Sequence, residues 1–452
     1  MQQLLDNVEK MLSAEREKYR QLHPCSVTLS QSANQHFLYG VPMHWMHDWG
    51  TPTSLFIESA SGCHFKCADG IDYTDFCLGD TGAMFGHSPP ALADTIAEQA
   101  QKGLTAMLPS TLAPAVGQAL SDFFGMPYWQ LATTATDANR FVLRWARAVT
   151  NRTKVLVFDG CYHGTVDDTM LDIRDGENVN RISLLGQVQD LTLHAVAVPF
   201  NDLAAVEREL AKGEFAALLT EPALTNCGMV LPHDGFMQSL RTLCSQYDTL
   251  FILDETHTVS AAHGGWAIAN DITPDFLVVG KPIAGGLPAA AYGFSGALAT
   301  RMKAAKDLAP PGHSGIGTTL SGNMMTLAAI HTMLTQVATK AAYSHMLRLA
   351  ESLEQQLVAC IKAHHLPWNI TRLGARLELQ FAAIPPKNAV EARLAQNERL
   401  ESAIHLFLLN RGVLLTPFHN MMLVCQDTNA VDIERLVAVF GQCINILLQP
   451  NH

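Results

Sequence analysis

Between residues 90 and 330, short uninterrupted apolar runs alternate with stretches whose apolar residues return at helical spacing. The runs 155–158, 216–220, 250–253 and 276–279 are each bounded by polar or turn residues. A strand without polar alternation is buried on both faces, and helices between such strands supply the covering layers. The pattern predicts a mostly parallel sheet with crossover helices, an α/β fold. A chain of 452 residues also exceeds what one hydrophobic core usually serves, so more than one packed unit is expected.

On either side of this region the pattern changes. Leu4, Leu5, Val8, Met11 and Leu12 fall on one helical face and Pro24 closes the run, so residues 1–22 read as an amphipathic helix. Its stripe needs a surface to cover, and a second subunit is one candidate. Residues 55–77 alternate apolar and polar around Asp69-Gly70, which suits a tight hairpin within a small β-meander. Residues 321–338 and 341–364 read as long helices, and mixed patterns follow. The expected division is an N-terminal helix and arm (1–60), a large domain (61–335) and a small α+β domain (336–452).

Composition narrows the partners. Thirty basic residues against 42 acidic ones give a formal charge of −12, which disfavours phosphate backbones and anionic lipid. Neither nucleic acid nor a membrane is expected as a partner. The longest uncharged apolar stretch, 282–300, is interrupted by Pro282, Pro288 and several glycines, so it reads as loop and strand. The ten cysteines are scattered, and the first residues lack an apolar leader, so the cytoplasm is the expected compartment. Cys63 and Cys67 lie in the alternating stretch without a second ligand pair, so they read as strand residues and no metal is assigned.

Two apolar strands end in chemistry. Asp254 follows the run 250–253, and Gly280-Lys281 follows the run 276–279. In an open parallel sheet, ligands sit beyond the carboxyl ends of the strands, so both side chains are expected in one crevice. A lysine beside an apolar wall loses its proton more easily and can form a Schiff base, while a buried aspartate can hold a proton on a pyridine nitrogen. Taken singly, each has an ordinary reading, as a helix cap for Asp254 and a surface residue for Lys281. Two further elements point to the same sheet edge. Residues 131–138, LATTATDA, make a strand, a Thr-rich turn and a helix start, an arrangement that binds anions. The turn Gly160-Cys161-Tyr162-His163-Gly164 follows the run 155–158, and Tyr162 can stack on a planar ring.

The blocks VLVFDGCYHG, LTEPALTNCG, LFILDETHT, PDFLVVGKPIAGGLPAAAYG and TTLSGN resemble, in order and approximate spacing, those of class III aminotransferases. GCYHG and TLSGN are similar to the glutamate-1-semialdehyde aminomutase branch. The resemblance implies the fold type I architecture, pyridoxal 5'-phosphate as cofactor, and a homodimer with active sites at the subunit interface. It implies Lys281 as the Schiff-base lysine, Asp254 as the pyridinium partner and Tyr162 as the stacking residue, with His163 beside it. Thr134, Ala135 and Thr136 fall on the phosphate loop. Thr319 falls where a residue reaches the neighbouring subunit's phosphate, and Glu221 and Asn226 occupy the block beside the ring. Three departures stand out: Ala135 replaces a glycine, Asp137 replaces the usual glutamate, and Thr256 replaces the valine that packs under the ring.

The implied reaction is transamination between an amino donor and a carbonyl acceptor, in ping-pong order. The alternative is intramolecular transfer of the aminomutase type. Residues 39–46, YGVPMHWM, do not match that branch's Ser-Pro-Val-Arg-like stretch, which favours the intermolecular reaction. Tyr39 and Trp45 are candidate substrate contacts, with Trp45 packed under the small domain as the competing reading. Residues 415–425 offer no arginine for a substrate carboxylate; Arg376 is the nearest alternative, although an arginine in an alternating run is more often a surface or ion-paired residue. A serine hydrolase built on Gly312-His313-Ser314-Gly315 is weakened by Ile316 at the elbow's last glycine position. A non-catalytic cofactor-binding regulator would need a basic helix-turn-helix, and none is evident.

Overall fold

A computed structural model describes residues 2–449, with the side chains of residues 2–5 outside the described set. The expected contributions of Leu4 and Leu5 to the helical stripe therefore lie outside it. The chain forms two compact units. The larger comprises Pro90–Lys340 and Pro386–Leu394; the smaller comprises the chain up to Pro89, Ala341–Pro385, and the chain from Ala395 onward.

The larger unit is built on a seven-stranded sheet. Its strands are β1 (Tyr128–Ala132), β2 (Lys154–Phe158), β3 (Ala195–Val198), β4 (Phe215–Thr220), β5 (Leu250–Asp254), β6 (Phe276–Val279) and β7 (Ala290–Phe294). Their order across the sheet is β1-β7-β6-β5-β4-β2-β3. The strands β6-β5-β4-β2-β3 pair in parallel, and β7 runs antiparallel to both its neighbours. β4, β5 and β6 are buried at every position, as their unbroken apolar runs require. The edge strand β1 alternates instead, with one face half-open. Residues 386–394 join this unit because Asn201 Nδ2 donates to the Lys387 carbonyl at 2.8 Å and Arg393 pairs with the buried Asp159 at 2.5 Å.

In the smaller unit, the strands Ile57–Ser61, His64–Cys67 and Asp72–Asp75 form the expected meander, with Asp69-Gly70 in its turn and Gly70 at φ +76°. Asp72–Asp75 then pairs in parallel with Val413–Leu414. That long-range ladder is the physical reason residues 61–89 group with the C-terminal segments rather than with the large sheet, where the sequence reading placed them. Cys63 and Cys67 are both fully buried and pack in separate apolar clusters. Beside Cys63, His64 lies 2.9 Å from Asp432, which also accepts the Asn429 N–H in the capping box of the helix Ala430–Leu447.

Val8, Met11 and Leu12 of the N-terminal helix, Gln2–Leu22, find their surface within the chain. They are buried in a cluster with Ala403, Ile404 and Phe407. Pro24 ends this helix, as expected, and also opens another, Pro24–Ala33, since a proline suits the first helical turn. No helix among the described residues is long and apolar enough to cross a membrane.

The smaller unit also buries a titratable group. His405 is completely enclosed, with Nδ1 3.1 Å from the Leu415 carbonyl, and burial pushes its pKa down to about 4. The depressed value means the folded state refuses a proton that the unfolded chain takes up near pH 6.5, so stability is complete above that pH and is lost as pH falls toward 4. That window corresponds to about 3 kcal/mol. His405→Leu is therefore expected to flatten the fall in melting temperature between pH 7 and 4.5, measured on both proteins; an equally steep fall would remove His405 as the cause.

Candidate active site

Asp254 is the last residue of β5 and is registered against Val278 on β6, the strand that leads into Lys281. Adjacent parallel strands thus carry the carboxylate and the amine to the same edge of the sheet. Gly280 sets the spacing: a Cβ there would lie 3.0 Å from Ala135 Cβ and 3.6 Å from Thr256 Cγ2. The backbone just before Lys281 therefore lies against both the first residue of the helix Ala135–Thr150 and the residue two beyond Asp254. Lys281 itself is held at φ +49°, a left-handed conformation that costs a non-glycine residue about 1–3 kcal/mol and is found where surrounding structure enforces it.

The Asp254 carboxylate is buried and surrounded by donors. One oxygen accepts from Asn139 Nδ2 at 2.8 Å and faces His163 Nδ1 at 2.9 Å; the other accepts from the Thr256 N–H at 3.0 Å and the Thr256 hydroxyl at 2.6 Å. Burial by itself raises a carboxyl pKa, but the bonds from His163, Thr256 and Asn139 outweigh it and hold Asp254 below its ordinary value. For His163 burial works against the charged ring, yet Cys161 and Asp254 favour it and lift its pKa to about 10. The site therefore keeps an ionised carboxylate away from water.

The remaining expected residues fall around this pair. Thr134 caps the helix Ala135–Thr150, its hydroxyl accepting from the Asp137 N–H at 3.2 Å. The Thr136 hydroxyl accepts from the Thr165 N–H at 3.1 Å. Both hydroxyls are thus committed locally, and the first-turn N–H groups, which have no acceptor within a helix, are what the turn offers an anion. Ala135 lies inside the helix and is not among the residues with positive φ, so its replacement of glycine introduces no strain. Tyr162 is half-buried, and its N–H donates to the buried Glu221 at 3.3 Å. Burial raises the Glu221 pKa to about 7. The neighbour that bonds Glu221 is Thr225; Asn226, the residue expected in that block, is exposed. Thr319 is exposed in a loop whose preceding residue, Thr318, has its hydroxyl 3.3 Å from that of Thr133.

The three tentative substrate residues belong to the smaller unit. Arg376 is buried and bonded to Glu378 at 3.0 Å and Asp80 at 3.4 Å, the ion-paired reading of that residue. Tyr39 and Trp45 are 56% and 45% exposed, so Trp45 is not packed away as its competing reading required.

Three further contributors are residues to which the sequence pattern assigns no role. Asn139 had a signal: it is a polar residue on a helix face otherwise made of Ala138, Phe141 and Val142, and a buried polar group there must find a partner. Thr225 adjoins Asn226 in the same block. His257 follows Thr256 in the same strand-end segment, is buried, and has Nε2 2.8 Å from Lys281 Nζ.

A family model described as aminotransferase class-III matches residues 45–444. The chain belongs to the class III aminotransferases. A glutamate-1-semialdehyde 2,1-aminomutase of Anaeromyxobacter is 34% identical over 378 residues, covering 81% of this chain and 85% of that protein. The crystal structure of a glutamate-1-semialdehyde-aminomutase from Pseudomonas aeruginosa superposes with a TM-score of 0.96 at 45% identity, covering 98% of this chain and 99% of that one. A β-phenylalanine aminotransferase from Variovorax paradoxus shares the fold, with a TM-score of 0.86 at 24% identity over 97% of both chains. This class III chain thus has the fold type I architecture expected for it.

Gly164 locks the Tyr162–His163 turn onto the helix start. At φ +78°, a Cβ there would fall 2.0 Å from Thr136 Oγ1 and 2.9 Å from Thr136 Cα. Gly164→Ala is expected to destabilise the protein by more than about 2 kcal/mol, from left-handed strain and overlap together. An unchanged denaturation midpoint would show that the two segments are not held against each other.

Proposed function

We propose that this pyridoxal-phosphate-dependent class III enzyme moves an amino group from an amine or amino-acid donor to a keto acid, aldehyde or ketone, in ping-pong order. The observation that carries the reading is the meeting, at neighbouring strand ends, of the Lys281 amine and the buried ionised Asp254, bridged by Thr256 on the carboxylate and His257 on the amine.

The residues fit the cofactor at both ends. Asp254 would hold a proton on the ring nitrogen, and Thr256, whose hydroxyl rotates, is the donor able to make room for it. The first-turn N–H groups of Ala135 and Thr136, with Thr134 at the cap, would face the phosphate, and Tyr162 would stack on the ring with His163 and Glu221 behind it. Bound pyridoxal phosphate supplies a carbonyl that accepts the donor's nitrogen and a ring that delocalises the electron pair left on the donor carbon. Lys281 acts on the two sides of that chemistry, as a nucleophile when neutral and as a carrier of the proton removed from the donor carbon. Asp254, held ionised by its own donors, would be the group that keeps a proton on the ring nitrogen.

Thr319, exposed in its loop, suits the reading of a homodimer in which it would reach the partner's phosphate. Tyr39 and Trp45 are open to a substrate and favour an apolar or aromatic amine. The second reading, an intramolecular aminomutase, is favoured by the names of the relatives at 34% and 45% identity. Against it stand the missing arginine in residues 39–46 and the commitment of Arg376 to Glu378 and Asp80.

Holoenzyme given glutamate-1-semialdehyde alone distinguishes the two. Intermolecular transfer predicts little 5-aminolevulinate unless a donor and a separate keto acceptor are added, with parallel double-reciprocal lines; stoichiometric conversion of the single substrate would replace our reading with the aminomutase. Lys281→Ala is expected to abolish turnover, and Asp254→Asn to lower kcat by about 10²–10⁴-fold with the fold retained by circular dichroism. Undiminished rates in either variant would refute the assigned role.

A further inference from the structure

The smaller unit gathers metal-binding side chains that the sequence holds 369 positions apart. Among the described residues, Cys63, His64 and Asp432 offer three ligand atoms within 4.8 Å of one another. In the sequence Cys63 has only Cys67 beside it, but those two pack in separate clusters and its partners come from the other end of the chain. The backbone at this point is pinned. Gly62 and His87 exchange N–H bonds of 2.9 and 2.7 Å, and the Cys63 carbonyl accepts the Asp75 N–H at 2.7 Å. Cys63 Sγ then lies 3.5 Å from Asp432 Oδ2 and 3.5 Å from the Asp427 carbonyl. His64 Nε2 is 2.9 Å from Asp432 Oδ1 and 3.9 Å from Cys63 Sγ, with Nδ1 3.5 Å from the same sulfur. The Asn429 N–H, donating to Oδ2 at 3.0 Å, fixes the direction of the carboxylate, as outer partners of metal ligands do.

We infer that Cys63, His64 and Asp432 bind a divalent cation of the zinc class, which clasps the β-meander to the start of the helix Ala430–Leu447. Zinc sits about 2.3 Å from sulfur and about 2.0–2.1 Å from nitrogen or oxygen, in a tetrahedron. Those lengths place sulfur about 3.5 Å from either lighter ligand, and nitrogen about 3.3 Å from oxygen. The edges of 3.5, 3.9 and 2.9 Å each fall within about 0.4 Å of that figure. The His64 side chain is 50% exposed, so its ring is free to turn by that amount. Thiolate, imidazole and carboxylate together suit zinc, whereas magnesium and calcium take oxygen ligands. On binding, the Cys63 S–H bond breaks, its electron pair forms the bond to the metal, and the proton leaves to water. His64 gives the lone pair of its neutral ring and Asp432 that of a carboxylate oxygen. Two negative ligands offset the two positive charges, so the buried site is neutral, and water takes the fourth position.

His64 and Asp432 by themselves would be a capping aspartate with a histidine on its second oxygen. The buried Cys63 sulfur, meeting the same carboxylate, is the contact that such a pair does not need. Neighbouring donors are engaged elsewhere: His87 Nε2 lies 2.8 Å from Asp75, and Cys425, in the same apolar cluster as Cys63, accepts the Thr428 hydroxyl at 3.5 Å. The ligand set is therefore the three converging side chains.

The test uses full-length holoenzyme without an affinity tag, kept reduced, stripped with EDTA, dialysed and then titrated with zinc chloride. Bound zinc is counted by plasma mass spectrometry after gel filtration. Wild type is expected to keep one zinc per chain and to bind it more tightly as pH rises, because the thiol must lose its proton. Cys63→Ser, His64→Ala and Asp432→Asn should each weaken binding by at least about 100-fold. Zinc should raise the melting temperature of wild type and leave that of each variant unchanged. Cobalt(II) in place of zinc should give a thiolate-to-metal absorbance that Cys63→Ser loses, read as a difference against the same holoenzyme so that the cofactor cancels. His64→Ala alters a half-exposed side chain, so it decides the matter if either buried variant misfolds. Wild type without stoichiometric zinc would overturn the inference. So would equal retention by His64→Ala, which would mean adventitious sites only, and so would cobalt binding without the thiolate band. No substrate is present, so the result is independent of the proposed transamination.

Discussion

The larger unit depends on one buried charge. Placing the Asp254 carboxylate away from water is costly unless its lone pairs are filled, and an unpaired buried charge shifts its pKa and neutralises. Here Asn139, His163 and the N–H and hydroxyl of Thr256 fill them, each delivered by a different piece of chain or a different bond of one residue. The helix after β1, the turn after β2 and the end of β5 must therefore all reach one point. That requirement explains the tight contacts at Gly164 and Gly280, which have no room for a side chain.

The departures from the family pattern look different once these contacts are known. Thr256, in place of an apolar residue, brings a hydroxyl that is one of the bonds keeping Asp254 ionised. Ala135, in place of glycine, is accommodated because the helix has already begun at that residue. A substitution judged by residue type alone predicts strain or lost packing, whereas the local backbone and hydrogen-bond partners determine the effect.

The smaller unit solves a separate problem with the same rules. Arg376, Glu378 and Asp80 bring opposite charges together in a site where a lone guanidinium would be poorly tolerated. The N-terminal helix covers an apolar surface made by residues nearly four hundred positions later in the chain, which ties the two chain ends into one cluster.

The sheet was legible because burial on both faces leaves a strand with no polar position, and runs such as 250–253 and 276–279 show that directly. Asp254 and Lys281 were legible for the same reason, since a charged residue at the end of an apolar strand marks where the sheet stops and solvent or ligand begins. The strand Ala195–Val198 was not, because four small residues fit helix or strand equally well. The join of residues 61–89 to Val413–Leu414 was not either, because ladder pairing is set by backbone bonds that carry no trace in local pattern. Composition and periodicity are one-dimensional and determined which residues face inward, which strands end in chemistry, and which family the blocks resemble. The partners of Asp254, the choice of Thr225 beside Glu221, the pairing of Arg376 and the approach of His257 to Lys281 were decided only when distant segments met. A hydrogen bond depends on a few tenths of an ångström and a direction, and neither exists until the fold has formed.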